Sequence, residues 1–324
     1  MKGNGTLVIS LDFELLWGVF DKVDWREKAA YFQNTRKVIP EILQLFEQYE
    51  ISCTWATVGM LFNENWDEWN ENIPEILPEY ENLNLSPYKY GKSIQSVESE
   101  ELCFAPALIK QIKKTPGQEI GTHTYSHFYC LETGQSIESF NADLTKAGRM
   151  AKIFGIELES LVFPRNQYNQ DYLEICRQNG LSAVRMNPEN WYWKDTQKDT
   201  LLQKVFRTGD AYFGLNDKPY SDLPEIYSGI QGQKASRLLR PHSGKAFQDR
   251  RRLQRIISEM EAAAKHNQIY HLWWHPHNFG SYPEQSMQEL EVILKNYKDL
   301  NNKYGFYSLN MQELNAMVSK TVHE

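Results

Sequence analysis

Residues 10–18 read SLDFELLWG and place two carboxylates, Asp12 and Glu14, where an apolar run that begins at Leu7 ends. A charged pair at the end of a buried strand carries a desolvation cost unless a cation meets it or the strand end opens onto a cleft. Because alternate residues of a strand point to the same side, both carboxylates can face one site. This stretch therefore predicts a buried strand that delivers two carboxylates to a cationic partner.

Short apolar runs alternate with helix-period segments along the rest of the chain. The predicted strands are TLVIS, ISCTWATV, EIGTH, SLVFP, LSAVR, IYHLWW and FYSLN, and the main predicted helices cover residues 34–49, 137–154, 170–179, 247–266 and 284–303. This order implies parallel strands with outer helices, either as a barrel or as an open doubly wound sheet. No repeat or linker divides the chain, so we expect one domain over residues 1–324.

Residues 62–106 interrupt this pattern with prolines, clustered aromatic residues and weak periodicity. We predict an irregular insertion there. Its aromatic side chains could stack on sugar rings or form part of a lid, but packing of an insertion onto its host is the commoner use. The residues concerned are Trp66, Trp69, Tyr80, Tyr88 and Tyr90.

The composition excludes several classes of function. The 324 residues are 41% hydrophobic, a value typical of globular proteins. The formal net charge of −7 argues against general nucleic-acid binding. No stretch approaches the ~20 apolar residues of a transmembrane segment, and the start of the chain does not resemble a signal peptide, so we expect a cytoplasmic protein. Four scattered cysteines favour reduced thiols.

One basic stretch stands out against the acidic background. Residues 234–255, KASRLLRPHSGKAFQDRRRLQR, carry eight Lys and Arg residues against one Asp. A solvated helix face is the favoured interpretation, and an anchor for a phosphate group is the alternative.

The residues suited to chemistry fall at the carboxyl ends of predicted strands, where parallel α/β folds build their active sites. They are Asp12, Glu14, His123, His127, Arg165, Arg185, His275 and His277. In GTHTYSH, His123 and His127 are four residues apart, so on a helical turn both imidazoles could bind one ion. Two histidines and one carboxylate form an open metal site with room for water.

The order of these motifs resembles the polysaccharide deacetylases, the NodB-homology group of carbohydrate esterases. It runs from the acidic strand end through HxxxH and FPRNQ to the late HPHN, between Leu7 and about Asn278. The resemblance implies a distorted (β/α)7 barrel of the NodB-homology type. It also implies removal of an N-acetyl or similar small acyl group from an amino sugar with one divalent metal. Zinc is the first expectation, with cobalt, nickel or iron as alternatives.

The resemblance also implies roles for single residues. Asp12 matches the catalytic base, Glu14 stands in for the carboxylate ligand, His123 and His127 match the metal histidines, and His275 matches the catalytic acid. These roles agree with physical chemistry: a metal polarises the amide, a carboxylate takes a proton from water, and a histidine protonates the leaving amine.

Two departures from the family pattern affect these roles. Much of the family has adjacent aspartates where this chain has Asp12-Phe13-Glu14, so which carboxylate binds the metal stays open. The usual Arg-x-Pro order is replaced by Pro164-Arg165. We expect Arg165 to lie near Asp12 and to favour its ionised form, with a plain surface ion pair as the alternative.

Four further residues are candidates for substrate contact. His277 and Asn278 could orient His275 or touch substrate. Trp191 and Trp193 in NPENWYWKD could wall the acyl pocket or belong to the core.

The sequence thus predicts a metal-dependent amidohydrolase that acts on an N-acylated amino sugar in surface-polysaccharide or glycoconjugate biosynthesis. The basic stretch adds a phosphate-linked sugar as one alternative. A deformylase or other linear-amide hydrolase on the same barrel is a second enzyme hypothesis. A non-catalytic carbohydrate-binding barrel is the alternative outside enzymes. The sugar and the oligomeric state stay open.

Overall fold

The computed structural model describes residues 4–187 and 218–322, which are organised by one mostly parallel sheet. Its strands are β1 (Thr6–Phe13), β2 (Cys53–Thr57), β3 (Gln118–Thr122), β4 (Ser160–Val162), β5 (Ala183–Met186), β6 (Glu225–Tyr227), β7 (Ile230–Lys234), β8 (Arg237–Leu238), β9 (Ile269–Trp274) and β10 (Tyr307–Leu309). The strand order is β6-β7-β5-β4-β3-β2-β1-β9-β8, and β10 pairs with β1 off this path. Only the β6–β7 pair is antiparallel among these strands.

One segment of chain joins the two ends of this sheet. β7 pairs with β5, and β8, which follows three residues later, pairs with β9. Between them, Ala235 N donates to Met186 O and Ser236 N donates to His271 O. Residues 230–238 therefore close the sheet, which gives seven positions around a barrel: β9, β1, β2, β3, β4, β5 and the joint β7–β8 segment. The predicted distorted (β/α)7 barrel is confirmed.

Helices cover the outside of the barrel. In the described part of the chain they are α1 (Ala29–Gln48), α2 (Trp66–Glu71), α3 (Pro87–Ile94), α4 (Val97–Cys103), α5 (Pro106–Lys114), α6 (Ile137–Ile153), α7 (Gln170–Gln178), α8 (Ala246–His266), α9 (Pro283–Tyr304) and α10 (Met311–Val322). None of them combines the length and apolar composition that crossing a bilayer requires. All four cysteines are buried and free.

The strand β1 is completely buried. All eight of its residues are buried, and it pairs with β9 along Thr6–Leu11 and with β2 along Ser10–Phe13. A strand covered on both faces reads as a continuous apolar run, which explains why LVISL carries no charge until Asp12.

The C-terminal helix α10 packs across the amino end of the barrel. Its first residue, Met311, is buried, and Met311 N donates to the hydroxyl of Thr54. The next amide, Gln312 N, donates to the buried carboxylate of Glu119 at 3.1 Å. A carboxylate accepts well at a helix N-terminus because the free amides and the helix dipole both favour it. This end of the barrel is therefore closed.

The segment predicted as the strand FYSLN contains β10, which pairs in parallel with the first residues of β1 and lies off the main strand order. The expectation about the insertion at residues 62–106 needs a correction. The insertion is not irregular throughout, since it contains α2, α3 and α4. Its aromatic residues pack inward: Trp66, Trp69, Tyr80 and Tyr88 are all at most 5% exposed. They therefore attach the insertion to the barrel and are not free to stack on sugars.

The basic stretch at residues 234–255 contributes three of its cations to an internal ion-pair network. Arg237 makes two 2.6 Å bonds to Glu259, and Arg255 pairs with the same carboxylate. Arg252 pairs with Glu289, a residue of α9. These three cations hold α8 against β8 and α9, so they are not part of the solvated helix face that we favoured from the sequence. A phosphate anchor on the rest of the stretch stays a prediction.

We predict that Gly280→Ala destabilises the fold by about 1–3 kcal/mol through overpacking. A Cβ on Gly280 would lie 2.8 Å from Tyr31 Cδ2, and closer still to the Tyr31 backbone oxygen, where α1 contacts the turn after β9. The matched control is Gly148→Ala in α6, where a Cβ meets nothing within 4 Å. This control should be neutral or stabilise by up to ~1 kcal/mol. Urea unfolding of both variants is the measurement, and equal midpoints would contradict the prediction.

Candidate functional site

The carboxyl ends of β1, β3, β5 and β9 bring the predicted site residues together. Glu14 directly follows β1, His123 directly follows β3, and His275 directly follows β9. Asp12 lies near the end of β1 and Arg185 near the end of β5. The site thus lies at the end of the barrel opposite α10.

Glu14, His123 and His127 form a group that could hold a metal ion. Glu14 Oε2 lies 3.3 Å from His123 Nε2 and 3.2 Å from His127 Nε2. Two ligands bound to one tetrahedral ion at about 2.0–2.2 Å are themselves about 3.3–3.6 Å apart. The observed separations therefore fit three ligands of one small cation. Glu14 Oε2 is also buried without a hydrogen-bond partner among the described residues.

The two histidines meet through an irregular turn, and not through the helical turn that the HxxxH spacing predicted. Thr124 and His127 have positive φ values, 63° and 58°, which are incompatible with a regular helical turn. The carboxylate of Asp143, on α6, holds this turn by accepting from Tyr125 N at 2.7 Å and Ser126 N at 3.1 Å. The sequence contains no local signal for this arrangement, because its support comes from a distant helix.

Both metal-site histidines are oriented by bonds at Nδ1. His123 Nδ1 lies 2.7 Å from Val162 O, and His127 Nδ1 lies 3.1 Å from the hydroxyl of Tyr129. A ring whose Nδ1–H donates to such a partner presents an unprotonated Nε2, which is the form that binds a metal. The donor set, the tautomers and the distances therefore all fit a divalent ion.

Burial and neighbouring charges fix the protonation of this group. Burial opposes ionisation of Glu14, but His275, His123 and His127 hold the pKa of its carboxyl well below the usual range. Burial lowers the pKa of His127 to about 4 despite the opposing effect of Glu14. Near neutral pH, an ionised carboxylate therefore faces a neutral imidazole, as metal binding requires.

Asp12 lies beside this group and forms a bidentate ion pair with Arg185. Arg185 Nη1 and Nη2 each lie 2.7 Å from one carboxylate oxygen of Asp12, and Nη1 also donates to Ser10 Oγ. The ring of Trp273 covers the guanidinium at 4.3 Å. Burial would raise the pKa of Asp12, but Arg185, His123 and His275 hold it below the usual range.

Arg165 does not make the contact with Asp12 that we predicted; Arg185 makes it. Arg165 has a left-handed backbone, with φ at 53°, and its side chain bonds Asp21 at 2.5 Å and lies over the ring of Tyr129. The signal for Arg185 was present in LSAVR, since a cation in a buried strand needs a buried anion. Arg165 instead supports Tyr129, the partner of His127.

His275 faces both carboxylates. Its Nε2 lies 3.6 Å from Asp12 Oδ2 and 3.6 Å from Glu14 Oε1, and its side chain is 26% exposed. His277 stacks on His275 with ring centres 4.9 Å apart and is itself 6% exposed. Burial and the nearby His275 lower the pKa of His277 to about 3. His277 thus lies behind His275, while Asn278 N donates to His275 O.

The proposed acyl-pocket residues Trp191 and Trp193 lie outside the described residues.

Comparisons with known proteins agree with this architecture. A protein-family model described as polysaccharide deacetylase matches residues 19–184, a range that contains His123 and His127. A structure from Mycobacterium smegmatis assigned as a polysaccharide deacetylase aligns with a TM-score of 0.61 at 12% identity, over 99% of this chain and 93% of that one. A second, from Pseudomonas aeruginosa PAO1 and also assigned as a polysaccharide deacetylase, aligns with a TM-score of 0.57 at 10% identity. That alignment covers 96% of this chain and 89% of the other. No curated protein matches by sequence.

We predict that Tyr129→Phe weakens zinc binding about 10- to 100-fold, because it removes the hydroxyl that orients His127. The measurement is the zinc Kd by competition with a chromophoric chelator. Tyr49→Phe is the matched control, since it removes a hydroxyl that contacts Glu291 on α9 instead. An unchanged Kd for Tyr129→Phe would contradict this orienting role.

Proposed function

The chain belongs to the polysaccharide deacetylase family, and from this premise we propose that it removes an N-acetyl, or similar small acyl, group from an amino sugar. One observation carries the proposal beyond family membership. The group Glu14, His123 and His127 lies beside an ionised Asp12 and a partly exposed His275. These are the parts that hydrolysis of an amide needs: a metal site, a base and an acid.

Glu14, His123 and His127 would hold one divalent metal ion. Two imidazoles and one carboxylate are a donor set that suits zinc, with cobalt, nickel and iron as alternatives. When bound, such an ion supplies Lewis-acid polarisation of the acyl carbonyl and of the attacking water.

Asp12 is the proposed general base. It is ionised because Arg185 offsets the cost of its burial, and the two parallel bonds fix the direction of its carboxylate. A carboxylate with one fixed orientation accepts a proton from water without reorganising, which favours proton transfer during the attack.

His275 is the proposed general acid. It is the most exposed of the site histidines and lies across from Asp12, so base and acid flank the same space. Protonation of the leaving nitrogen is required because an amide anion is a poor leaving group. Stacking on the buried His277 holds the imidazole of His275 in place for this transfer.

Two alternatives remain testable on the same barrel. A deformylase or other linear-amide hydrolase would use the same residues and differ only in the acyl group released. A carbohydrate-binding barrel with a decayed site is disfavoured by the complete set of acid, base and ligands. The role in surface-polysaccharide or glycoconjugate biosynthesis and the cytoplasmic location stay predictions.

We predict near one zinc or cobalt ion per wild-type chain after loading and desalting, and none in His123→Ala/His127→Ala, measured by mass spectrometry. Loaded wild type should release acetate from N-acetylglucosamine oligomers, with formate assayed in parallel from N-formyl analogues. Asp12→Asn should keep the ion and lose activity by about 10²-fold or more. Sugar binding without ion or turnover would support the binding barrel instead.

We also predict that Arg185→Lys moves the acid limb of the kcat/KM profile to higher pH by about one unit. Lysine keeps the charge but not the two parallel bonds, so the pKa of Asp12 rises and its base form is lost earlier as pH falls. Arg165→Lys, the matched control, should leave the acid limb in place because Arg165 pairs with Asp21. If Arg185→Lys and Arg165→Lys shift the acid limb of the kcat/KM profile equally, the bidentate pair with Arg185 does not set the pKa of Asp12.

A further inference from the structure

The carboxylate of Glu14 occupies the space where a side chain of Gly18 would lie. A Cβ built on Gly18 falls 2.5 Å from Glu14 Oε2 and closer still to Cδ and Oε1. Real Cβ atoms are essentially never this close to another heavy atom. The absence of a side chain at residue 18 is therefore a condition for the observed position of Glu14.

A tight turn creates this contact between residues four apart. Residues Leu15–Gly18 form a single 3₁₀ turn directly after β1, and Trp17 N donates to Glu14 O at 3.0 Å. Leu15 has a φ of 45°, a left-handed conformation that is rare for a branched, bulky residue. Such strain persists only where the surroundings impose it, and it clusters at functional sites.

The turn is clamped, so it cannot move away from an added side chain. Trp17 Nε1 donates to Cys103 O at 2.7 Å, and its ring stacks on Trp69 with ring centres 6.1 Å apart. The ring of Trp66 also contacts the ring of Trp17, edge-on. These contacts hold Trp17, the residue before Gly18, within the turn. The flexible end of Glu14 is therefore the part that yields most readily to an added side chain.

We propose that Gly18 is a positioning residue that adapts the metal site to glutamate. It keeps open the space through which the carboxylate of Glu14 reaches the Nε2 atoms of His123 and His127. The inference rests on the proposed metal site but not on the substrate or the reaction.

The length of the ligand follows from the same geometry. An aspartate at residue 14 is one methylene shorter, so its carboxylate would stop short of the space above Gly18. Conversely, any side chain at residue 18 displaces the longer carboxylate. Glu14 and Gly18 thus act as one unit, and substitutions in the two should not have independent effects.

A double-mutant cycle tests this unit, with Gly18→Ala, Glu14→Asp and the combined variant. The readouts are the zinc Kd by chelator competition and the visible absorption spectrum of the cobalt form. Gly18→Ala alone should weaken zinc binding at least about tenfold by displacing a ligand. In the Glu14→Asp background, Gly18→Ala should raise the zinc Kd by less than about threefold relative to Glu14→Asp alone, because the effects of the two residues are coupled. An equal factor in both backgrounds would overturn the proposal.

A second cycle does not depend on metal and covers the case in which Gly18→Ala folds poorly. Thermal unfolding of the metal-free protein is compared for Gly18→Ala in the wild-type background and in the Glu14→Ala background. The added methyl should lower Tm in the first and much less in the second, where the competing carboxylate is gone. An equal decrease in Tm in both backgrounds would mean that Gly18 is required only by the conformation of the turn and not by the carboxylate of Glu14. Gly148→Ala is the control for a glycine with open space.

These outcomes are separable from those that test the proposed function. Coupled effects together with no release of acetate or formate would support the role of Gly18 and reject the hydrolase. Additive effects together with full activity would reject the role of Gly18 and leave the hydrolase intact.

Discussion

The buried ion pair between Asp12 and Arg185 is the constraint on which the rest of the site depends. It joins β1 to β5, which are separated in the sheet by β2, β3 and β4, so it crosses the interior of the barrel. Removing one member of such a pair leaves an uncompensated buried charge, which costs about 3–5 kcal/mol. The same bonds keep Asp12 ionised and fix the direction of its carboxylate, so the interaction that joins β1 to β5 also sets the state of the proposed base. Ser10 and Trp273 complete the surroundings of the arginine.

The predictions that succeeded share one property: they depend on where a residue lies along its own strand. Asp12, Glu14, His123 and His275 were expected at strand ends, and parallel strands bring their carboxyl ends to one edge whatever the details of packing. The alternation of strands and helices left a barrel and an open doubly wound sheet possible, and the family resemblance selected the barrel. Local pattern was sufficient to place these residues at strand ends because the period of a strand and the direction of a parallel sheet are both fixed.

The predictions that failed depend on contacts between distant segments. Whether Arg165 or Arg185 meets Asp12 is decided by the left-handed backbone at residue 165 and by which strand crosses the barrel. The turn that carries His123 and His127 takes its shape from Asp143 on α6, and no spacing rule encodes that helix. For the insertion, the sequence favoured packing of its aromatic residues onto the host but could not name their partner. Trp66 and Trp69 pack against Trp17, in the turn that follows Glu14.

The pairing of β1 with β9 also has a consequence for biosynthesis. Thr6 pairs with Ile269, so β1 leaves the ribosome more than 250 residues before its β9 neighbour is made. At about 5–20 residues per second, this interval is on the order of ten seconds or more. During that time the LVISL strand has an unpaired apolar edge, the kind of surface on which nascent chains associate wrongly. The strand that is completely buried in the finished fold is therefore open to misassembly while the protein is being synthesised.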